Sequence, residues 1–311
     1  ATDNCENINL ESSAILFEGC DFCDDHINFG DIFDMNNNSF SFSIWANFEN
    51  LNANWDQNLV TKGLTQNTSP SNNGFVLKVD ANYNFVRASI SDGNNIFSLY
   101  SESLETDEWY LFTFVVDRGN NLMKLYVNSD LVADAVISSL GSISNNGQLH
   151  VGNQYWPDSG QNAAVLDGAV SNFSFWDNAI DNNTINSIYE DVLNNCSYDI
   201  QNLNNLIGYW PFNEGQGGIV NDLVGNNEGV IANSQWINNS PCQTTTCCTF
   251  VDEGEACAGC TDEMACNYNP SALDDDGSCL TIFGCTDGNA CVDSYNPNAQ
   301  CDDGSCVYAT T

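Results

Sequence analysis

From Phe40 to Phe48 apolar side chains fall at every second position: Phe40, Phe42, Ile44, Ala46 and Phe48 alternate with Ser41, Ser43, Trp45 and Asn47. A period of two places the first set on one face of an extended strand, and no helix sorts residues that way. Residues 74–79, 85–90, 109–116, 122–127 and 131–136 repeat the theme. Turn sequences separate them: Asp92-Gly93-Asn94, Arg118-Gly119-Asn120 and Asn146-Gly147. Short strands with such punctuation predict an all-β sandwich or jelly roll. Phe42, Ile44, Phe112, Phe114, Val116, Leu125 and Val127 are its expected core. One helix is expected. Asp181 or Asn182 can cap it, and Ile185, Ile188, Tyr189 and Val192 then form one apolar stripe. It is expected to be short and to pack on the edge of the sandwich.

The charge balance excludes several partners. The 311-residue chain has 42 acidic side chains against 5 basic ones, a formal net charge of −37. The basic residues are Lys62, Lys78, Arg87, Arg118 and Lys124, and none follows Lys124. Nucleic-acid binding needs Lys and Arg against phosphate, so it is not expected; anionic membrane surfaces are disfavoured for the same reason. No run of about 18 apolar residues predicts membrane insertion. Such a chain favours cations, and calcium takes carboxylate and amide oxygens. The 48 Asn beside 29 Asp suit turns and long polar loops.

Composition changes near Pro241, which divides the chain into residues 1–241 and 242–311. Of 15 Cys, 11 lie after that point. This density reads as a disulfide framework in an oxidising, extracellular or cell-surface setting. The odd count leaves at least one thiol free or bonded to another chain. No signal peptide is visible, so Ala1 reads as a mature N-terminus or as a cut in a longer chain. The tail carries a duplication, at about 259–279 and 284–306. Cys260-Thr-Asp-Glu-Met-Ala-Cys266 matches Cys285-Thr-Asp-Gly-Asn-Ala-Cys291, and the Tyr-Asn-Pro runs at Tyr268 and Tyr295 lead into Asp-Asp-Gly-Ser-Cys ending at Cys279 and Cys306. The second copy has two more residues after Cys291 and an extra Cys301. Unlike residue types recurring in register mark a repeat.

The first part resembles the laminin-G-like, concanavalin A-like jelly-roll family over about residues 8–238. The segments that carry the likeness are Phe17-Glu-Gly19, Phe40-Ser-Phe-Ser-Ile-Trp45, Asn58-Leu-Val-Thr-Lys-Gly63, Asp107-Glu-Trp-Tyr-Leu-Phe-Thr-Phe114, Leu125-Tyr-Val-Asn-Ser129, Leu149-His-Val-Gly152 and Leu166 to Trp176. The block from Ile207 to Gly215, with Asp222 and residues 225–229, often opens such a domain and here closes it. That departure implies either a permuted order or a last strand completing the sandwich. The tail resembles Cys-bounded repeats near the C-termini of secreted surface proteins of Bacteroidota, which commonly use the type IX secretion route. The C-terminal sorting domain usual there is missing, which implies removal or a fragment. Its Asp-rich loops are loosely similar to calcium loops of thrombospondin type 3 repeats.

Catalysis is not expected. A retaining glycosidase needs two carboxylates about 5 Å apart, and the Glu-x-Asp-x-x-Glu spacing that would supply them on a strand does not occur. The nearest stretch, Glu105-Thr-Asp107-Glu108, has Tyr110 in place of the last acid. His26 and His150 are far apart, and His150 reads as a surface or satisfied strand histidine. Cys20-x-x-Cys23 with His26 lacks the second pair that a zinc site needs, so a local disulfide is the better reading; Cys5 and Cys196 could then pair, though sequence alone does not give the connectivity. For calcium, the resemblance implies a structural ion near Asp222 and Asn226, beside Asn227; a plain Asn-Gly turn is the alternative. In the tail, Asp262, Asp275, Asp276, Asp287, Asp302 and Asp303, with Asp274, crowd carboxylates into tight turns whose repulsion a divalent ion would relieve. Gln154-Tyr155-Trp156-Pro157-Asp158 and Trp55 offer aromatic faces and polar groups of the kind that hold sugars, so Trp55, Tyr155, Trp156 and Asp158 are the candidate ligand-binding residues. The alternative is that these aromatics pack over the sandwich ends.

Together these features describe an extracellular, non-enzymatic surface protein. A jelly roll would bind a glycan or a surface protein, and a small, disulfide-rich, loop-dominated, calcium-stabilised tail would act as a stalk. A structural subunit of an extracellular filament or sheath, self-associating through calcium, is the rival reading. An accessory module of a larger secreted enzyme is the third. Six glycosylation sequons begin at Asn37, Asn67, Asn172, Asn182, Asn195 and Asn238, a number that chance supplies at this Asn content.

Overall fold

The computed structural model describes residues 13–19, 24–63, 73–156, 161–163, 165–195, 203–242, 258–262, 264–266, 274–275, 277–286, 296–302 and 304–308, with the backbone alone at 154–156, 161–163, 195, 258–259, 274 and 302. The chain divides into two compact units, Ala1–Thr244 and Thr245–Thr311.

In chain order the first unit forms β1 (Ala14–Glu18), β2 (His26–Asn28), β3 (Phe40–Phe48), β4 (Gln57–Lys62), β5 (Asn73–Val79) and β6 (Val86–Asp92). It continues with β7 (Ile96–Tyr100), β8 (Trp109–Asp117), β9 (Leu122–Val127), β10 (Asp130–Val136), β11 (Leu149–Val151), β12 (Gln154–Trp156) and β13 (Gln161–Ala163). It closes with β14 (Asp167–Trp176), helix α1 (Asn182–Asn195), β15 (Leu206–Trp210), β16 (Ile219–Val220), β17 (Gly229–Ala232) and β18 (Gln235–Ile237). The first sheet runs β10-β9-β8-β3-β14-β1-β18, with β15 also paired to β14; the second runs β16-β17-β2-β11-β4-β5-β6-β7. Their pairings are antiparallel, so the unit is the all-β jelly-roll sandwich that the alternation predicts.

The period of two decides what lies between the sheets. Phe42 of β3 is 5.3 Å from Phe75 of β5 and 5.6 Å from Phe114 of β8, ring centre to ring centre. The expected core residues sit in this cluster, Val127 only partly buried. Each fully buried Phe contributes about 1.5–3 kcal/mol by leaving water. The pairings place the late block within both sheets. β15 extends the first sheet, β16 and β17 extend the second, and β18 returns to pair with β1. The late block therefore completes the sandwich. Phe85, read as the start of a strand, precedes β6 instead.

The helix is not on the edge. It lies over the outer face of the first sheet, where Ile185, Ile188 and Val192 pack with Trp45, Leu111, Val115, Tyr126 and Trp176. Trp45 stacks on Tyr189 at 5.5 Å and 13° between planes. The polar half of the β3 alternation thus contains a tryptophan because a second layer covers it. Asp181 caps the helix, its Oδ1 accepting from Thr184 N at 2.9 Å. No helix among the described residues is long and apolar enough to cross a membrane.

The second unit repeats itself in space. β19 (Ala258–Gly259) pairs in parallel with β20 (Asp274–Asp275), and β21 (Phe283–Gly284) with β22 (Cys301–Asp302). Gly259 opposite Asp275 and Gly284 opposite Asp302 are equivalent positions of the two copies. Gly277 and Gly304, also equivalent, share a left-handed backbone (φ 77° and 75°) that a Cβ would strain. Three described disulfides, Cys260–Cys279, Cys266–Cys301 and Cys285–Cys306, tie these short pieces together.

Candidate functional site

The links 49–56, 80–85, 101–108 and 152–166 all leave the strands at one end of the sandwich, and Trp55 lies in the first of them. Its indole Nε1 donates to Val165 O at 3.0 Å. Val165 follows β13, whose register with β12 sets Tyr155 opposite Asn162 and Trp156 opposite Gln161. The other foot of this hairpin is Asn153, whose carbonyl accepts from Thr61 Oγ1 at 3.2 Å. Between the feet, Gly152 N donates to Leu59 O at 3.0 Å and Leu166 N to Gly152 O at 2.8 Å. Gly152 has φ 85°, and a Cβ there would meet the Phe17 ring at 2.1 Å. The hairpin is therefore pinned at both feet, to the interior strand β4 of the second sheet and to the Trp55 loop.

The same loop reaches the other way. Ala53 O accepts from Asn82 N at 2.8 Å, and Asp56 Oδ1 accepts from Ala81 N at 2.9 Å. This turn presents an aromatic group that the sequence reading did not single out. Tyr83 is 54% exposed and Tyr100 48% exposed, with Phe85 between them at 4.9 and 5.5 Å. The signal was available, since Tyr83 stands in an Asn-rich turn much as Trp55 does.

Beside these rings lies a buried charge cluster. Lys78 Nζ contacts Asp56 Oδ2 and lies 3.0 Å from Asp80 Oδ1, while Arg87 Nη2 lies 2.9 Å from the same Asp80 oxygen. Burial pulls the Lys78 ammonium below its ordinary range, and the Asp56 and Asp80 carboxylates oppose that pull. In β-register Lys78 faces Arg87, which faces Tyr100. The cluster braces the Trp55 loop against β5 and β6.

Of the ligand-binding candidates, Trp55 and the strand carrying Tyr155 and Trp156 come together, and Asp158 lies outside the described residues. Trp55 is half-buried and spends its N–H on the backbone, so it positions the hairpin. Glu105, Asp107 and Glu108 are exposed on the 101–108 link, where Tyr110 Oη accepts from Glu105 N at 3.1 Å. His26 and His150 are neighbours, their rings 5.4 Å apart, and His26 Nδ1 sits 2.9 Å from Asp24 O. Cys5, Cys20, Cys23 and Cys196 lie outside the described residues.

The donor set at Asp222 does not fit a calcium ion. Oδ1 accepts from Tyr209 N (2.9 Å) and Val224 N (3.0 Å), and Oδ2 from Asn227 N (3.1 Å) and Asn227 Nδ2 (3.0 Å). Four N–H donors occupy the roughly four acceptor sites of a carboxylate. Trp210 Nε1 locks the same loop by donating to Asn227 O at 2.7 Å. Asn226 is exposed in a left-handed conformation, φ 61°. Asp222 is a brace for the loop after β16. In the tail, Asp262 accepts from Met264 N and Asp275 from Gly277 N, each at 2.9 Å. These are two separate side-chain turns among the described residues. Asp276, Asp287 and Asp303 lie outside the described residues, as does the side chain of Asp302. Among the described residues no group of three or more His, Cys, Asp or Glu is arranged to hold a metal.

Two antiparallel sheets with long loops gathered at one end define the jelly-roll class, and comparison with known proteins agrees. The family model described as the concanavalin A-like lectin/glucanases superfamily matches residues 21–186, more than half of the chain. The chain belongs to that superfamily. No curated protein shows significant similarity to it. Among solved structures, a protein of Bacteroides ovatus described as carbohydrate-binding aligns with TM-score 0.54 and 15% identity, over 72% of this chain and 59% of its own length. This chain thus spans less than two thirds of that relative. A heptameric SAP-like pentraxin of Limulus polyphemus aligns with TM-score 0.46 and 13% identity, over 73% of this chain and 98% of the pentraxin. The CBM40 of the Ruminococcus gnavus IT-sialidase, solved with α2,3-sialyllactose, aligns with TM-score 0.39 and 17% identity, over 49% and 83%.

Proposed function

We propose that the sandwich is a non-catalytic carbohydrate-binding module of an extracellular surface protein. The hairpin bearing Tyr155 and Trp156, held by Trp55 and flanked by Tyr83 and Tyr100, is its binding end. The observation that carries this reading is a hairpin bearing Tyr155 and Trp156, fastened at both feet, at the end of the sandwich that also exposes Tyr83 and Tyr100. Pyranose rings stack their C–H faces on such side chains, and a fixed hairpin lowers the ordering cost of binding. Membership of the concanavalin A-like lectin/glucanases superfamily supports a carbohydrate ligand, and the carbohydrate-binding description of the Bacteroides ovatus relative agrees. The tail disulfides support an oxidising, extracellular setting. The tail would act as a stalk carrying the module, in a protein exported by the type IX route. Calcium belongs to this proposal at the tail turns and not at Asp222; adding chelator should then lower the melting temperature of the tail.

The test is a glycan array on the whole chain, once in millimolar calcium and once in chelator. Binding to a defined sugar that falls at least tenfold in Trp156→Ala, with the fold intact by circular dichroism, is expected. Equal binding by the variant would remove the hairpin from the site, and no binding in either condition would turn the reading to protein partners.

A further inference from the structure

The three described disulfides of the tail form a redundant circuit. Cys260–Cys279 and Cys285–Cys306 each join the first and last cysteine of one repeat. Cys266–Cys301 instead crosses between repeats. Cys301 stands where the first repeat carries Asp274, and Cys266 is the second cysteine of its own repeat. Among the described residues, the extra cysteine of the second copy is therefore what couples the copies.

Two covalent routes now connect Cys260 with Cys306. One crosses to Cys279, follows six peptide links to Cys285 and crosses to Cys306. The other follows six links to Cys266, crosses to Cys301 and follows five links to Cys306. The routes share no peptide bond. We infer that the tail is a nick-resistant, inextensible tether: no single peptide break between Cys260 and Cys306 parts its ends. With Cα–Cα spans of 4.7 Å across each loop bridge, the shorter route limits the stretched distance between those residues to about 30 Å. The same residues with every bridge reduced would extend to about 160 Å. The need for redundancy is visible in the link between the copies, where Ile282 and Phe283 are each 45% exposed. A single route through that link would leave the whole chain dependent on one accessible peptide bond.

The use made of this tether rests on the stalk reading, but its cross-linking does not. The test digests the full chain with chymotrypsin in urea without reductant, so that cleavage after Phe283 is independent of folding. Mass spectrometry then reads the products. The expected result is one cross-linked core that holds both sides of the Phe283 cut, heavier by one water per cut, and that falls apart on reduction. The double variant Cys266→Ala, Cys301→Asp keeps both loop bridges and should yield two separate cores. Two cores from the wild-type chain would overturn the inference while leaving carbohydrate binding untouched. A single core from the variant would overturn it as well, because some other bond would then join the repeats. Absence of glycan binding would leave the result of the digest standing.

Discussion

His150 is 4% exposed on the outer face of the second sheet, with His26 edge-on to its ring. Burial first, and the neighbouring His26 second, lower its pKa to about 4, while a hydrogen bond with the Gln148 backbone works against them. In the unfolded chain it would titrate near 6.5. The folded value is the lower one, so the unfolded state takes up the proton first as pH falls. Stability associated with His150 is therefore complete above pH 6.5 and is lost as pH drops through about 4, by about 3 kcal/mol in all. An NMR titration should place the His150 midpoint near 4, and His150→Gln should flatten the acid limb of the stability curve. A midpoint near 6.5 would show the ring open to water. Strand alternation was enough to place His150 on a strand. It could not show that this face is covered, because the cover comes from residues distant in the chain.

At the scale of elements, the nine residues of β3 are buried on both faces. The sandwich core covers one face and α1 covers the other, where Trp45, Trp176 and Tyr209 lie beneath the helix. The helix stripe was readable from its period, and so was the cap. Its location was not, since an amphipathic stripe states only that something must cover it. The helix is a second-layer element with its own small core, and a single truncation should be felt. Ile188→Ala is expected to destabilise the sandwich by about 2–4 kcal/mol in urea unfolding, as for other buried truncations. A loss below about 0.5 kcal/mol would mean that the helix does not pack on the sheet.

For the whole molecule, the five basic side chains are the scarce component. Lys62 is buried and paired with Asp31 at 2.8 Å and Asp34 at 3.4 Å, and Lys78 and Arg87 are buried with Asp56 and Asp80. Arg118 donates to the carbonyls of Leu140 (2.7 Å), Gly141 (2.9 Å) and Asn36 (3.3 Å). Four of the five cations thus serve internal joints, and the net charge of −37 is carried by a surface with almost nothing to offset it. Self-repulsion of that kind opposes the compact state and is screened by salt. Raising NaCl from about 10 mM to about 150 mM shortens the screening length from about 30 to about 8 Å and should raise the melting temperature. A melting temperature that falls over this range would show that the internal ion pairs outweigh the surface repulsion.

By itself the sequence determined six of the strands (β3, β5, β6, β8, β9 and β10), turns between them, the helix stripe and the duplicated tail. Each of these follows from residues within a few positions of one another: side-chain alternation, turn chemistry and cysteine register. The tertiary structure decided how the polar groups are used. Asp222 reads as a ligand in isolation, yet four N–H donors, one from β15 and three from the loop after β16, consume its oxygens. Trp55 reads as a free ring, yet its indole N–H fastens a hairpin 110 residues away. Cys301 reads as one cysteine too many, and only its approach to Cys266 makes it the joint between two repeats. Trp55 and Val165, or Cys266 and Cys301, meet only when their own unit closes, and no local pattern specifies which residues will meet.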